Sequence, residues 1–398
     1  MLTDKYDRPF MQYFDENEKE FKVQPEIATE KTLKTLTNSL VSAANKVEPP
    51  HLRNVRLVES DIYFVHWFHD GLFYGSSTTD VMTIHTSADG ETWEVLATLP
   101  RSTGNSITAI IVSDTNRIIV ATFNGEVFVS DEDGVFGSEP TFVSGKFDSR
   151  FGHFKYRNII GLVSYENHGF DDGQKHEAFL SVDNGATFNK VFDISTLDTL
   201  PPLADDRYHL HDMEYDPYSG RLYLWSGDFE NRTLNYSDDW GVTWKTVFPR
   251  GQVKNATQVI ATKDGIALGA DSAPAGIDFI NVDRTKNTSP NIDINDYSMN
   301  HWIFSNEGER VIATRRWVER DKGIYLVPFI VEYDDNQERS ASLAFSRDGY
   351  NWHEIFKSPS KGHYSGIWSV TYGNGKIVGT HRNTEGNYQT FIAECDLG

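Results

Sequence analysis

The sequence has little of what several protein classes depend on. Cys395 is the single cysteine in 398 residues, so no intramolecular disulfide framework can form. No apolar run reaches the ~18 residues that a membrane-spanning helix needs, and the opening residues lack the basic start and apolar core of an export signal. We therefore expect no membrane insertion and no ordinary export, and a location in a virion or in the cytoplasm.

Basic side chains are also scarce. Lysine and arginine together number 37 against 58 aspartate and glutamate residues, which gives a net charge of −21. Such a surface repels the phosphates of nucleic acids and of anionic membranes. The phosphate-binding loop, the dinucleotide fingerprint and the Gly-x-Ser-x-Gly elbow are absent as well. The expected partner is therefore neither a nucleic acid nor a membrane.

The first fifty residues differ from the rest of the chain. Apolar residues recur there at alternating steps of three and four, at Leu33, Leu36, Leu40, Ala43 and Val47. Pro25 precedes this run and Pro49 and Pro50 follow it, so the pattern predicts one short heptad-like helix. Residues 1–50 then form a separate segment. It either caps the main domain or acts as a stalk or docking helix for a homotrimer or a tail-assembly partner.

From residue 51 to 398 the pattern changes to short runs of β-branched and aromatic residues separated by Gly, Asp and Asn, which is typical of β-hairpins. Seven hairpin turns are marked by Gly71, Asn116, Asn158, Gly220, Gly265, Gly308 and Gly375. Most of their spacings are close to the ~40–50 residues of a four-stranded propeller blade. The sequence predicts an all-β, seven-bladed β-propeller over residues 51–398, with six blades as the alternative.

A second repeat is out of phase with the first. Four segments share Ser, Asp and Gly followed by an aromatic residue, at Ser87–Trp93, Ser181–Phe188, Ser237–Trp244 and Ser346–Trp352, and a degenerate copy spans Ser130–Phe136. In a tight turn, Ser and Asp bond backbone amides, Gly adopts a left-handed conformation and the aromatic ring packs between sheets. The structural aspartates are Asp89, Asp183, Asp239 and Asp348.

These segments resemble the Asp-box, or BNR repeat, of sialidase-like β-propellers, over about 270 residues. The resemblance implies that each box is the turn between the third and fourth strands of a blade. Asp283 stands where a further box is expected. The last blade has a short tail, so we expect an early strand around Val55 to complete it. The resemblance also implies that ligands bind on the face opposite the boxes.

That opposite face carries the starts of first strands and the ends of second strands. Side chains that commonly bind ligands collect there, namely Arg207, His209, His211, Arg315, Arg316, Tyr364, His381 and Arg382, together with Arg150 and His153. Alternate side chains of a strand share one face, so Arg207, His209 and His211 are expected to point together. We predict that these residues line a ligand site.

His209 and His211 are also the candidate metal ligands. Two neutral imidazoles suit Zn or Mn, whereas Ca would use oxygen-rich turns such as those at Asp131 or Asp171, which lack a full ligand loop. The alternatives are a hydrogen-bonded structural pair and a sugar-binding pair. No cofactor is required by the sequence, and a divalent metal is the one that it suggests.

The catalytic candidates are His209, His211, Tyr165, Glu166 and Asp228. The sialidase resemblance implies a Tyr–Glu nucleophile with a separate acid and three arginines, parts that could come from Tyr165, Glu166 and Asp228 with Arg207, Arg315 and Arg382. The Arg-Ile-Pro motif expected before the first box is missing. A polysaccharide lyase would instead use His209, His211 or Tyr364 as its base, with Arg207 neutralising a uronate.

Three functions stay open at this point. The leading hypothesis is glycan recognition by a phage tail receptor-binding protein, or adhesin, for a cell-surface or cell-wall polymer. It rests on the boxes, an aromatic content of 13% and the missing export signal. The layout is similar to that of propeller-bearing receptor-binding proteins of phages that infect Gram-positive hosts. The alternatives are a glycan-cleaving enzyme, either a hydrolase or a lyase, and a structural scaffold.

Overall fold

The chain divides into two compact units, Met1–Glu48 and Pro49–Gly398. The computed structural model describes residues 12–14, 20–22, 49–100, 104–148, 150–165, 176–193, 209–228, 232–247, 254–271, 276–282, 297–303, 311–331, 338–361 and 364–397. In the first unit, strand β1 (Gln12–Phe14) pairs antiparallel with β2 (Glu20–Lys22). The helix predicted between Leu33 and Val47 lies outside the described residues.

Strand β3 (Arg53–Glu59) opens the second unit. Five four-stranded antiparallel sheets of consecutive strands follow it. Sheet A contains β4 (Ile62–His69), β5 (Leu72–Ser77), β6 (Thr83–Ser87) and β7 (Glu94–Thr98). Sheet B contains β8 (Ile107–Val112), β9 (Ile118–Thr122), β10 (Glu126–Val129) and β11 (Phe142–Val143). Sheet C contains β12 (His153–Tyr156), β13 (Ile159–Val163), β14 (Glu177–Ser181) and β15 (Asn189–Asp193). Sheet D contains β16 (Leu210–Asp216), β17 (Arg221–Ser226), β18 (Thr233–Ser237) and β19 (Lys245–Thr246). Sheet E contains β20 (Ala256–Ala261), β21 (Gly265–Ala270), β22 (Gly276–Asn281) and β23 (Tyr297–Ile303).

The remaining sheet contains nine strands in two parts. Sheet F has β24 (Val311–Ala313) and β25 (Trp317–Glu319), which both pair with β26 (Ile324–Val331), followed by β27 (Glu338–Ser346) and β28 (Trp352–Lys361). Sheet G has β29 (Gly366–Gly373), β30 (Lys376–Arg382), β31 (Tyr388–Glu394) and β3. The pairing of Ile330 with Gly366 joins the two parts. Pairing of β3 with β31 confirms the prediction that an early strand around Val55 completes the last sheet.

The fourth strand of a sheet is the most exposed one. Strands β8 and β9 are buried along their whole length and are continuous apolar runs, as a strand covered on both faces requires. The fourth strand β7 is largely exposed, and β19 is only two residues long. Short or exposed outer strands offer little edge for pairing with another chain. The first strands are therefore the inner ones.

Hydrophobic clusters link the sheets in chain order. Each cluster contains residues from two successive sheets, namely Tyr74 with Ile110, Ile111 with Ile160, Phe154 with Met213, Tyr223 with Val259, Ile260 with Tyr325, and Leu326 with Ile367. A further cluster joins Val378 of sheet G to Ile62 of sheet A. The second unit is therefore a closed ring of sheets. The described residues contain no α-helix, and a single 3-10 turn spans Arg320–Lys322.

The four box turns connect the third and fourth strands of sheets A, C, D and F. In each box the serine hydroxyl donates to the aspartate at 2.7–3.0 Å, and the glycine amide donates to the same hydroxyl at 2.8 Å. The aspartate then accepts backbone amides further along the turn, as Asp239 does from Thr243. The Thr243 hydroxyl and amide lower the pKa of Asp239, so each turn is held by a charged acceptor.

Each box also fastens its sheet to the preceding one. Gly349 has φ +75°, and a Cβ placed there would lie 2.3 Å from Cγ2 of Thr262 in sheet E. The other box glycines meet neighbours in the same way, Gly90 against Val378, Gly185 against Ile119 and Gly241 against Val191. Only glycine combines this left-handed backbone with so close an approach. The boxes therefore contribute to packing between sheets as well as to local turns.

One of the seven predicted hairpins is wrong. The segment around Gly308 was expected to be a first hairpin, but β23 belongs to sheet E and β24 to sheet F. The first turn of sheet F is instead at Arg320–Lys322 and closes on Gly323, which has φ +60°. A connection between sheets resembles a hairpin in sequence because both join two apolar runs through polar residues and glycine. Strand β23, which contains His301, is therefore the outer strand of sheet E and not an inner strand.

Candidate functional site at the rim of the ring

The starts of first strands and the ends of second strands meet at one edge of the ring, which we call the rim. Arg150 precedes β12, Tyr165 follows β13, His209 precedes β16, Asp228 follows β17, and Tyr364 precedes β29. The opposite edge, the turn face, carries the hairpin turns and the four box turns. Antiparallel neighbours reverse direction at each step, and this places residues from distant parts of the sequence together at the rim.

His209, His211 and Asp228 form a compact cluster at the rim. One ligand atom from each residue lies within 4.8 Å of the other two. Asp228 Oδ2 is 3.3 Å from His209 Nε2, and Asp228 Oδ1 is 3.5 Å from His211 Nε2. The two imidazole rings stack at 4.5 Å with an interplanar angle of 3°. The structure therefore adds Asp228 to the His-x-His pair that the sequence singled out.

A β-bulge between Leu210 and Asp212 sits beside this cluster. Bulges re-aim side chains and are frequent next to functional sites. Sheets A, B, E and G have a bulge at the same end of their first two strands. The bulge therefore belongs to the fold, and the histidines are what is particular to sheet D.

The histidines are buried and differ in their contacts. His211 Nδ1 is 2.8 Å from the carbonyl oxygen of Ala256, and because a carbonyl only accepts, Nδ1 carries the proton. Burial, assisted by the nearby His209, lowers the pKa of His211 to about 3, so this ring is neutral at pH 7. His209 is 4% exposed, and neither of its ring nitrogens has a hydrogen-bond partner among the described residues.

Aromatic rings enclose the cluster. Phe151 stacks on His211 at 5.7 Å and 12°, and Tyr165 packs on His209 at 4.5 Å. Burial raises the pKa of Tyr165 well above its ordinary value, so its phenol stays protonated at neutral pH. Tyr165 can donate a hydrogen bond there. It is not a general base at that pH without another group to take its proton.

A second rim feature is the aromatic platform, formed by Tyr63, Tyr364, Trp368 and Tyr388. Tyr63 meets Tyr388 edge to face at 4.4 Å, Tyr388 meets Trp368 at 5.8 Å, and Trp368 meets Tyr364 at 6.2 Å. The three tyrosines are half-buried, so part of each ring faces solvent. Trp368 is fixed by its indole, which donates to the Tyr364 carbonyl at 2.7 Å.

Arginines border the platform and connect it to the histidines. The Arg150 guanidinium lies 4.9 Å from the Tyr364 ring and 4.8 Å from the Phe151 ring, and Asp148 holds it through two hydrogen bonds of 3.0 and 2.8 Å. Arg382 lies 5.7 Å from Tyr388 and 5.9 Å from Trp368. Aromatic and cationic groups therefore run without a break from sheet A through G to C and D.

Arg315 and Arg316 do not reach the rim, which corrects their expected position. Both lie inside the first strand of sheet F, between β24 and β25. The Arg316 guanidinium contacts Asp212 and lies 2.7 Å from Glu214. Arg315 contacts His66 and donates to the Thr108 carbonyl at 2.7 Å, and burial lowers its pKa to about 9. These arginines hold inner strands together across the ring.

The other predicted site residues have mixed outcomes. Tyr364 and Arg382 belong to the platform. His381 is buried, and its Nε2 lies 2.8 Å from the Ser358 hydroxyl of sheet F. Glu166 and Arg207 lie outside the described residues, as does Asp283.

Sequence reasoning missed Tyr63, Trp368 and Tyr388, the centre of the platform. Their signal was their position at or near strand starts, because Tyr63 is the second residue of β4 and Tyr388 the first of β31.

The turn face has a feature that the sequence did not suggest. A cavity of about 670 Å³ opens there. Its lining includes Trp67, Tyr156, Arg157, Trp317 and Arg320. Trp67 and Trp317 meet edge to face at 4.9 Å, and the side chain of Arg157 is 66% exposed. The face of the Asp-boxes is therefore not purely a packing surface.

Comparisons with known proteins bear on the fold. The sequence matches no protein-family model and no curated protein. The solved structure of YCF48 bound to D1 peptide is similar, with a TM-score of 0.53, 11% identity, and coverage of 88% of this chain and 100% of that one. The β-propeller domain of Myceliophteria thermophila Cps50 (Swd1) gives a TM-score of 0.52, 10% identity, and coverage of 87% and 99%. The WD40 β-propeller domain of Doa1 gives a TM-score of 0.50, 10% identity, and coverage of 86% and 96%.

The second unit is a β-propeller. The predicted all-β propeller fold is thereby confirmed. Propellers host enzymes, binding proteins and scaffolds alike, so the function has to be argued from the rim and the turn face. Among the described residues, no helix combines the length and apolar character needed to cross a membrane.

Proposed function

We propose that the chain is a seven-bladed Asp-box propeller. Five four-stranded sheets together with sheets F and G give seven blades, and the interlocking clusters close them into a ring. The four box turns occupy the position between third and fourth strands that the sialidase-like resemblance implies. Their shared hydrogen-bond pattern supports the same assignment.

We propose glycan recognition at the rim as its function. The observation that carries the proposal is the aromatic platform of Tyr63, Tyr364, Trp368 and Tyr388. Sugar rings present apolar C–H faces that pack on aromatic rings, while tyrosine hydroxyls and arginine N–H groups bond their hydroxyls. Arg150 and Arg382 supply such donors at the platform's border. The partly exposed tyrosines lie around the buried Trp368, and an extended row of rings of this kind suits a polymer of sugars better than a small compact metabolite.

The setting on a phage tail is supported by the sequence layout alone, in which a heptad-like segment precedes the propeller. A stalk predicts that the full chain is a homotrimer in solution. Removal of residues 1–50 would then yield a monomer with unchanged glycan binding.

The test uses the full chain on a glycan array that includes bacterial cell-wall polymers, followed by calorimetry with the best ligand. We expect Tyr388→Ala to weaken binding by about tenfold, because one stacking ring is worth about 0.5–1.5 kcal/mol beyond its buried area. Trp240→Ala is the matched control, since Trp240 is 46% exposed and lies in a box turn on the opposite face.

Two results would contradict glycan recognition at the rim. One is equal affinity of Tyr388→Ala, Tyr63→Ala and the unsubstituted chain. The other is the absence of binding to every glycan tested. Product analysis of the bound polymer separates recognition from cleavage, because new reducing ends or unsaturated uronate absorbance would establish a hydrolase or a lyase.

A further inference from the structure

We propose that His209, His211 and Asp228 bind one divalent metal ion with a preference for mixed nitrogen and oxygen donors, zinc above all. The site lies beside the rim surface proposed to bind glycans, but metal binding does not depend on that function. Three observations carry it: the spacing of the donor atoms, the orientation of His211 and the unsatisfied ring of His209.

The donor spacing fits tetrahedral coordination. Zinc binds imidazole nitrogen and carboxylate oxygen at about 2.0–2.2 Å, which places two donors of a tetrahedron roughly 3.3–3.5 Å apart. Asp228 Oδ2 lies 3.3 Å from His209 Nε2, and Asp228 Oδ1 lies 3.5 Å from His211 Nε2. All three ligand atoms lie within 4.8 Å of one another. Small side-chain rotations therefore suffice to form the site.

His211 is held in the orientation that a metal ligand needs. Its Nδ1–H donates to the Ala256 carbonyl at 2.8 Å, so the Nε2 lone pair faces the Asp228 carboxylate. Two electron pairs that face each other at 3.5 Å repel unless a cation lies between them. A backbone carbonyl behind a ligating histidine is a common outer contact of metal sites. The Asn255 amide, 3.3 Å from Asp228 Oδ1, orients the carboxylate similarly.

His209 supplies the third observation. It is 4% exposed, and both ring nitrogens lack a hydrogen-bond partner among the described residues. A buried polar group without a partner is costly, on the order of 1–3 kcal/mol, and such groups call for an explanation. Coordination to a metal would give Nε2 the partner that it lacks.

The donor set also limits the metal. Two imidazoles and one carboxylate suit zinc and neighbouring transition metals, whereas calcium and magnesium prefer six or more oxygen ligands. Three protein ligands leave a position open, as in sites where zinc holds water or a bound molecule. The Tyr165 ring packs 4.5 Å from His209. A sugar hydroxyl or carboxylate on the rim is the class of ligand that would reach the open position.

The test is a zinc titration of the full chain, stripped with a chelator and followed by calorimetry and elemental analysis. We expect one equivalent of zinc per chain. Asp228→Asn keeps the shape but removes the charge, and should weaken binding by about 100-fold or more. His85→Gln is the matched control because His85 belongs to sheet A; it should bind zinc like the unsubstituted chain.

Equal zinc affinity of Asp228→Asn and the unsubstituted chain would overturn the proposal, and so would the absence of stoichiometric binding. Circular dichroism checks that each variant is folded. A second measurement needs no variant: Co²⁺ should give saturable visible absorption, reversed by one equivalent of zinc, and its absence also overturns the site. Because no sugar is added, a failure here is distinct from a failure of glycan recognition.

Discussion

The turn face and the rim of the same ring are built on different principles. On the turn face, one short pattern of Ser, Asp, Gly and an aromatic residue recurs in four sheets with nearly identical hydrogen bonds. At the rim, the described side chains of sheets A, C, D and G differ from one sheet to the next. Repetition indicates a demand shared by these four sheets, which is packing against the preceding sheet. Variety is what a single binding site requires, and this agrees with the proposed recognition of one ligand at the rim.

The comparison is not absolute. The turn face has a cavity with aromatic and cationic walls, and the rim has buried groups that matter for folding. Substitutions at the rim and on the turn face can therefore test how far binding and stability depend on different faces of the ring.

We expect the largest change in stability at Arg316, which lies between the rim and the turn face on the inner strand of sheet F. Arg316→Leu would leave the buried carboxylates of Asp212 and Glu214 without this cation, which typically lowers the free energy of unfolding by about 3–5 kcal/mol. Arg157→Leu is the control, since its side chain is 66% exposed and we expect a change within about 0.5 kcal/mol. Urea denaturation measures both. Equal stability of the two variants would show that Arg316 does not help to hold the inner strands together.

Glycine substitutions address the turn face. Gly349→Ala combines a φ of +75° with a Cβ 2.3 Å from Thr262, and should lower the free energy of unfolding by about 2–4 kcal/mol. Gly220→Ala has a similar φ of +74° but open space around the new Cβ, and should cost only about 1 kcal/mol. Zinc and glycan binding should be unchanged in both. If folded Gly349→Ala lost zinc binding or glycan binding, binding at the rim would not be independent of packing on the turn face.

Groups at the rim and on the turn face should also lose their contributions to stability in different pH ranges. Burial, and secondarily His209, lowers the pKa of His176 at the rim to about 4. The unfolded imidazole titrates near 6.5, so the unfolded chain takes up the proton first and stability falls as the pH drops from about 6.5 towards 4. The pKa of Asp239 is lowered, so its contribution is kept above about pH 3.9 and lost below it.

We expect His176→Gln to flatten the pH dependence between about 6.5 and 4, by at most about 1.4 kcal/mol per pH unit. Asp239→Asn should alter only the more acidic range. Urea denaturation at a series of pH values measures both slopes. An unchanged slope in His176→Gln would show that this ring does not contribute to acid sensitivity.

Local patterns made much of the fold predictable. Several strands, such as β9, β13 and β26, are mainly apolar runs, and the boxes contain their own hydrogen-bond partners within a few residues, so short windows of sequence suffice for both. The prediction was wrong around Gly308, where a connection between sheets has the composition of a hairpin. Its consequence was that Arg315 and Arg316 were expected at the rim although they lie inside a strand.

The site was predictable only in part, because its contacts join distant residues. His209 and His211 are two residues apart in the sequence and were singled out together, and Asp228 follows the adjacent strand. The platform instead joins Tyr63 to Tyr388, and Arg315 contacts His66. No local pattern contains such pairs, since the closure of the ring alone brings them together.

Pairing of β3 with β31 places the first and the last strand of the propeller in one sheet. Loop-closure entropy grows only slowly with the length of chain enclosed, by roughly 0.6 kcal/mol per doubling, yet contacts between remote residues slow folding. We therefore expect the pairing of β3 with β31 to form late in folding and to open early in unfolding. A circular permutant with its termini in another sheet would move that weak point around the ring while leaving the sheets themselves intact.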